Sequence, residues 1–163
     1  MIACLFALAA LLQVPADSAT VAGARNPAYA PDGRLAVSMR GDLWVRGNDG
    51  RWAELTRSAW IDREPTWTKG GDSVVFSSNR GGSFSLWGGG TGVGDPRQLT
   101  NGDDGEPAAA PDGALYFIRG MGAVGRLYER APDGSTRRVT TNEDAESWPA
   151  VSSGGALAYV TTH

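Results

Sequence analysis

The sequence has 163 residues, a formal net charge of -3 and 41% hydrophobic residues. Such a composition can bury the core of one domain, and it is unlike that of a disordered segment. The 15 basic residues are scattered among 18 acidic ones, and the longest basic run is the pair Arg137 and Arg138. No nucleic acid is expected as a partner, because proteins that bind one concentrate basic residues on one surface.

An apolar segment opens the chain over residues 2–14. It is too short to span a bilayer comfortably, and the small residues that follow it are typical of a secretory signal peptide. We expect residues 1–16 to be the signal, with cleavage as late as Ala24, and a periplasmic or secreted mature protein without an integral membrane span. No Lys or Arg precedes the apolar run, so an uncleaved anchor or a buried first helix remains as an alternative.

Thiol and imidazole chemistry have little support in the sequence. The single cysteine, Cys4, lies inside the apolar segment, and the single histidine, His163, is the last residue. Removal of the signal would therefore leave no thiolate ligand, and neither histidine catalysis nor a His/Cys zinc site is supported. No loop has the Asp-x-Asp-x-Asp-Gly spacing of a calcium site. We expect no metal and no cofactor.

From about residue 20 the chain repeats one phrase, in which a proline and a turn precede an apolar run. The four copies are PAYAPDGRLAVS from 27, PTWTKGGDSVVFS from 65, PAAAPDGALYFI from 107 and PAVSSGGALAYV from 149. Their first prolines are 38, 42 and 42 residues apart, a period that is typical of propellers and solenoids. Three repeats also carry a later aromatic residue, at Trp44, Trp87 or Tyr128, which we expect to pack between repeats.

Turn sequences divide each repeat into four short runs. In Pro-Asp-Gly, proline presets the first dihedral angle, aspartate bonds back to backbone amides and glycine accepts a positive φ. The runs are rich in Val, Tyr, Phe, Trp and Thr, which predicts strands. In the third repeat they cover residues 107–110, 114–119, 126–130 and 136–140. A four-stranded antiparallel meander of about forty residues is typical of a β-propeller blade.

The repeat resembles that of the TolB-type, WD-like propeller family. The shared features are Pro-x-x-x-Pro-Asp-Gly, an apolar strand, Leu-Trp and Leu-Thr, and the resemblance covers residues 20–163. It implies an all-β fold of four-stranded antiparallel blades over residues 17–163, with the phrase as the turn between the two innermost strands. Blades of this type occur in an envelope binding protein and in accessory domains of secreted hydrolases, so the implied function has two alternatives.

About three and a half blades are present by this count. After the fourth turn the sequence supplies one more strand, over residues 156–161. Closed propellers have at least about four blades. We therefore expect an incomplete propeller that is a fragment, a truncated gene product or one partner of an assembly. Its unpaired strand edges favour self-association.

Charged residues cluster in the loops before each phrase, at one end of the predicted propeller. One interpretation is a rim that binds a protein or peptide in the cell envelope, formed by Asp62, Arg63, Arg80, Asp104, Arg119 and Glu146. The alternative is solvated loop charge together with Arg–carboxylate pairs that tie neighbouring blades to each other.

A glycine-rich motif, GMGAVG at residues 120–125, matches G-x-G-x-x-G. A dinucleotide site needs a helix that begins at the third glycine, whereas a predicted strand and a turn follow here. We interpret the motif as a hairpin loop. The sequence therefore predicts a non-catalytic, exported binding protein. The alternative is an accessory or gating domain of a larger secreted hydrolase, a peptidase or a metal-dependent amidohydrolase, whose catalytic domain is not in this chain.

Overall fold

The computed structural model describes residues 22–91, 95–120 and 122–162. These residues form 14 strands and one short 3-10 turn, Gly122–Val124. The strands make three four-stranded antiparallel sheets and one two-stranded sheet. No helix in these ranges is long and apolar enough to cross a membrane. The predicted all-β fold is confirmed, whereas the predicted signal peptide and His163 lie outside the described residues.

Every sheet is a meander whose strands follow chain order. The first blade consists of β1 (Arg25–Tyr29), β2 (Leu35–Met39), β3 (Asp42–Arg46) and β4 (Trp52–Glu54). The second consists of β5 (Asp62–Trp67), β6 (Ser73–Gly81), β7 (Ser83–Gly90) and β8 (Arg97–Gln98). The third consists of β9 (Asp104–Ala109), β10 (Leu115–Arg119), β11 (Arg126–Arg130) and β12 (Thr136–Arg138), and the fourth of β13 (Ala145–Val151) and β14 (Leu157–Thr162).

The repeated phrase forms the turn between the first two strands of a blade, as predicted. In the third blade, Ala110 N–H donates to the Ala114 carbonyl at 2.8 Å, and Gly113 N–H donates to the Ala110 carbonyl at 3.1 Å. Asp112 Oδ1 accepts a hydrogen bond from Ala114 N–H at 3.0 Å. Gly113 has a φ of 93°, which disfavours a residue with a Cβ atom. The turn therefore depends on both the aspartate and the glycine.

Two apolar clusters fill the spaces between blades. Phe76 belongs to the cluster between the first and second blades, and Trp87 packs against it. Phe117 belongs to the cluster between the second and third blades. The centroid of its ring lies 5.9 Å from the centroid of the Tyr128 ring. Trp87 and Tyr128 are therefore the predicted inter-blade aromatics, whereas Trp44 is half-buried and belongs to neither cluster. The first strands of neighbouring blades contact one another around a common centre.

Candidate functional site

The residue before each phrase proline has a left-handed backbone. Asn26, Glu64, Glu106 and Trp148 have φ angles of 50°, 56°, 52° and 53°. A residue before proline is normally extended, and a positive φ is uncommon for any residue but glycine. In every blade this residue coincides with a shift in register between the first two strands, which is the signature of a β-bulge. The four residues and the prolines after them line a central cavity of about 260 Å³.

Carboxylates at this centre connect the first strands of neighbouring blades. Glu64 Oε2 accepts a hydrogen bond from the Glu106 N–H at 2.8 Å. Glu106 Oε2 in turn accepts one from the Trp148 N–H at 2.5 Å. Burial raises the pKa of Glu106, the hydrogen bond from Trp148 opposes that effect, and the nearby charge of Glu64 adds to it. Glu106 is therefore a carboxylate whose negative charge its surroundings only partly stabilise.

Two of the predicted rim carboxylates are buried in ion pairs. Asp62 and Asp104 are both 0% exposed. Asp62 Oδ2 lies 2.7 Å from the Arg80 guanidinium. Arg119 donates to both oxygens of Asp104, at 2.7 and 3.0 Å, and this bonding raises the pKa of Arg119. The expectation of solvated loop charge is wrong for these carboxylates, because each lies on the first strand of a blade and meets an arginine of the second strand. Both pairs lie within one blade and do not tie neighbouring blades.

Glu146 occupies the corresponding position of the fourth blade and is 1% exposed, so it too is not a solvated charge. Its Oε2 accepts hydrogen bonds from the Leu127 N–H and the Thr140 hydroxyl, each at 2.7 Å. In the second blade the corresponding leucine and threonine are bonded directly, because Leu86 N–H donates to Thr100 Oγ1 at 2.9 Å. Glu146 therefore inserts a carboxylate between a leucine amide and a threonine hydroxyl, and it links the fourth blade to the third.

The loop-bearing end of the propeller opens into a cavity of about 710 Å³, called the mouth cavity below. Its walls include Arg25, Arg40 and the exposed side chains of Ile61 and Trp148. Arg40 lies in a two-residue hairpin between β2 and β3, whose positive φ angles of 58° and 90° fit the turns that join twisted strands. Neither Arg25 nor Arg40 forms an ion pair within the described ranges. The mouth cavity therefore combines two arginines that have no ion-pair partner in the described part of the chain with exposed apolar surface.

Of the predicted rim residues, Asp62 and Arg63 border the mouth cavity. Arg63 lies 3.4 Å from a Glu64 oxygen, and its guanidinium lies 3.9 Å above the Phe84 ring. No pattern in the sequence predicted Arg25 or the four residues before the phrase prolines as site residues. Each of those four directly precedes a repeated proline, so the sequence did mark their positions. That their side chains meet at the central cavity depends on the β-bulges, which the sequence did not predict.

The glycine-rich loop joins β10 to β11, so its interpretation as a hairpin loop is confirmed. A Cβ atom on Gly125 would lie 2.6 Å from the Glu146 carbonyl oxygen. The glycine therefore permits close approach of the third and fourth blades. Within the described residues, no group of three or more His, Cys, Asp or Glu side chains could hold a metal ion.

Meanders whose first strands surround a common channel define a β-propeller, and solved structures specify its type. A putative TolB from Agrobacterium tumefaciens matches with a TM-score of 0.74 and 20% identity, over 83% of this chain and 53% of that one. TolB from Acinetobacter baumannii matches with a TM-score of 0.62 and 21% identity, over 83% and 40%. The chain therefore has the TolB-type propeller fold, as predicted, and spans about half or less of these proteins.

A hydrolase contains a similar propeller. The puromycin-hydrolyzing peptidase of Mycobacterium tuberculosis matches with a TM-score of 0.65 and 17% identity, over 88% of this chain and 29% of that one. No protein-family model and no curated protein matches the sequence. At these identities the similarity defines the fold, and function has to be argued from the site.

Proposed function

We propose that this chain is an exported, non-catalytic propeller segment that binds a protein or peptide in the cell envelope through its mouth cavity. The observation that carries the proposal is the combination, in one opening, of the exposed ring of Trp148 with Arg25 and Arg40, which form no ion pair with any residue that the structure describes. Arginine and tryptophan are enriched among the residues that dominate binding energy at protein interfaces. The similarity to TolB structures supports the proposal.

The distribution of charge supports the same end of the propeller. The whole chain carries a formal net charge of -3, so the arginines of the mouth cavity are a local reversal of sign. Asp62 also borders the mouth cavity, but its charge is paired with Arg80. A partner segment that carries acidic and aromatic side chains would complement such a surface, and charge complementarity would accelerate its association.

The test is a charge reversal of the two exposed arginines, Arg25→Glu and Arg40→Glu together. Envelope proteins of the source organism that cross-link to a photoreactive residue at position 61 should be lost in this variant. The fold should persist, since neither arginine forms an ion pair in the described ranges. Arg51→Glu is the matched control, because its side chain is 89% exposed in the turn between β3 and β4 at the opposite end. Undiminished cross-linking in the double variant would refute the proposal.

A second candidate function is an accessory or gating domain of a larger secreted hydrolase, which the similarity to the puromycin-hydrolyzing peptidase favours. It requires a catalytic domain on the same polypeptide or in a stable complex. Protein isolated from the source organism should then react with a fluorophosphonate probe or show metal-dependent amide hydrolysis. A purified native protein without either activity would exclude this alternative.

A further inference from the structure

The sequence contains five asparagines, and three of them are held by side-chain hydrogen bonds. Those bonds run to Asn26 Oδ1 from the Ser38 hydroxyl at 2.9 Å, from Asn48 Nδ2 to the Asp32 carbonyl at 3.0 Å, and to Asn79 Oδ1 from Ile61 N–H at 2.8 Å. The other two, Asn101 and Asn142, are exposed, and their side chains form no hydrogen bond within the described ranges. Their amide groups are therefore free to rotate and open to water.

Asn101 and Asn142 differ in the residue that follows them. Gly102 follows Asn101, and no other asparagine of the sequence precedes a glycine, whereas Glu143 follows Asn142. Glycine has no Cβ atom, so its backbone is conformationally permissive and its nitrogen is not shielded by a side chain. The Gly102 nitrogen can therefore approach the side-chain carbonyl of Asn101 more easily than the Glu143 nitrogen can approach that of Asn142.

The ion pair of the third blade requires glycine at position 102. A Cβ atom there would lie 2.7 Å from Arg119 Nε and 2.8 Å from Asp104 Oδ1. The Gly102 carbonyl accepts a hydrogen bond from the Ser85 hydroxyl at 3.0 Å, and its N–H donates to Asp104 Oδ2 at 3.3 Å. The second bond is longer than is typical for N–H···O. The glycine that leaves Asn101 open to attack is thus fixed by the fold, while its nitrogen is only weakly restrained.

We propose that Asn101 is a site of spontaneous deamidation, a reaction to which the thermolability of asparagine contributes a general tendency. The Gly102 nitrogen loses its proton to solvent and forms a bond to Asn101 Cγ. The bond from Cγ to Nδ2 breaks, and the side-chain nitrogen takes a proton from solvent and leaves as ammonia. Water then opens the cyclic imide at Cγ to give aspartate, or at the backbone carbonyl to give isoaspartate. Water is the only co-reactant, and no atom is oxidised or reduced.

Either product adds a negative charge to the loop that leads into Asp104. Isoaspartate also lengthens the backbone between two fixed points, because the chain then runs through the former side chain of Asn101. One point is the Thr100 hydroxyl, which accepts from Leu86 N–H at 2.9 Å, and the other is the Gly102 carbonyl. Both are bonded to β7, so isoaspartate at position 101 should loosen the attachment of this loop to the second blade.

The first experiment incubates the purified full chain in mildly alkaline buffer, which favours loss of the Gly102 proton, and then digests it with trypsin. Cleavage after Arg97 and Arg119 places Asn101 and Asn142 in different peptides. We expect the Asn101 peptide to gain the mass of an amide-to-acid conversion and to separate into two products, one of which is a substrate of protein isoaspartate methyltransferase. The Asn142 peptide is the internal control and should remain unchanged over the same time. Conversion of Asn101 that is absent, or no faster than that of Asn142, would overturn the proposal.

A variant then tests the chemistry and its structural effect. Asn101→Gln keeps an exposed amide but lengthens the side chain, which disfavours ring closure, so its peptide should show loss of the mass gain. In the incubated native chain the Leu86 amide should exchange with solvent faster than before incubation, whereas in Asn101→Gln its exchange should not change. Equal conversion in the variant would overturn the proposed reaction. Equal exchange of Leu86 in the two incubated chains would overturn the loosening of the loop.

Discussion

The four residues that precede the phrase prolines determine what faces the channel. A left-handed backbone at a residue other than glycine costs about 1–3 kcal/mol and persists only where surrounding contacts fix it. For Glu106 and Trp148 those contacts are the hydrogen bonds from Glu106 N–H to Glu64 and from Trp148 N–H to Glu106. Each bond joins two blades, so the strained residues also fix the spacing of the first strands around the channel.

The ion pair of Asp104 and Arg119 limits which residue can occupy the neighbouring position 102. Asp104 is fully buried, and both of its oxygens accept hydrogen bonds from the guanidinium. A Cβ atom on Gly102 would lie 2.7 Å from Arg119 Nε and 2.8 Å from Asp104 Oδ1. Glycine is therefore required beside this ion pair for reasons of space, since a side chain at position 102 would displace one of its members.

At this scale we predict that Asp104→Ala lowers the free energy of unfolding by about 3 kcal/mol, because it leaves Arg119 partly buried without its counter-charge. Glu143→Ala, the matched control, should change it by less than about 0.5 kcal/mol, since the Glu143 side chain is 84% exposed and its ion pairs measure 3.5 and 3.8 Å. Urea unfolding followed by tryptophan fluorescence measures both. Equal effects would contradict a structural role for the Asp104 pair.

At the scale of elements, a side-chain hydrogen bond between a leucine amide and a threonine hydroxyl fastens the outer edge of the first and second blades. Thr56 Oγ1 accepts from Leu43 N–H, and Thr100 Oγ1 accepts from Leu86 N–H, both at 2.9 Å and both buried. The bond lies just beyond the short fourth strand, at the Leu-Thr pair that recurs in the repeats. The Leu-Thr pair therefore recurs because its threonine hydroxyl bonds the third strand to the segment that follows the fourth strand.

The third blade provides the contrast for a second prediction. Thr100→Val should cost about 1–3 kcal/mol, because the Leu86 amide loses its buried acceptor, and that amide should exchange with solvent faster. In Thr140→Val the Leu127 amide should remain protected, since its acceptor is Glu146. Hydrogen exchange resolved by residue measures both amides. Fast exchange of Leu127 in Thr140→Val would show that the carboxylate bridge does not hold on its own.

At the scale of the molecule, the first three blades pack on one another through apolar side chains, whereas the fourth sheet leaves a strand edge unpaired within the described residues. The two apolar clusters join the first blade to the second and the second to the third. The fourth sheet has two strands, and β14 pairs with β13 on one side only within the described residues. Tyr159 and Val160 on β14 are exposed. An apolar strand with an unpaired edge is a template for pairing with another chain.

We therefore predict that the chain, expressed alone, self-associates through β14 as its concentration rises. Val160→Lys should raise the concentration needed for association, because a charged residue on an edge strand opposes pairing. Val124→Lys is the matched control, since Val124 is also exposed but lies in the loop between β10 and β11. Sedimentation velocity measures the effect. Identical behaviour of the two variants would show that association does not involve this edge.

The sequence by itself determined the blade. Pro31-Asp32-Gly33 and its counterparts specify a turn through local backbone chemistry, and short alternating strands specify the sheet on either side of it. The period of the phrase then predicted a propeller, because a repeated unit that cannot bury its own face has to stack on its neighbours. The identity of the inter-blade aromatics Trp87 and Tyr128 followed from the same period.

The tertiary structure decided what the charged residues do. Burial of Asp62, Asp104 and Glu146 could not be predicted from their position in polar loops, because it results from the arginines and backbone amides that other strands bring to them. Convergence of Glu64, Glu106 and Trp148 at the channel likewise depends on β-bulges in separate blades. Turn and strand preferences act between residues close in sequence, whereas the environment of a carboxylate is set by residues brought together only when the blades pack.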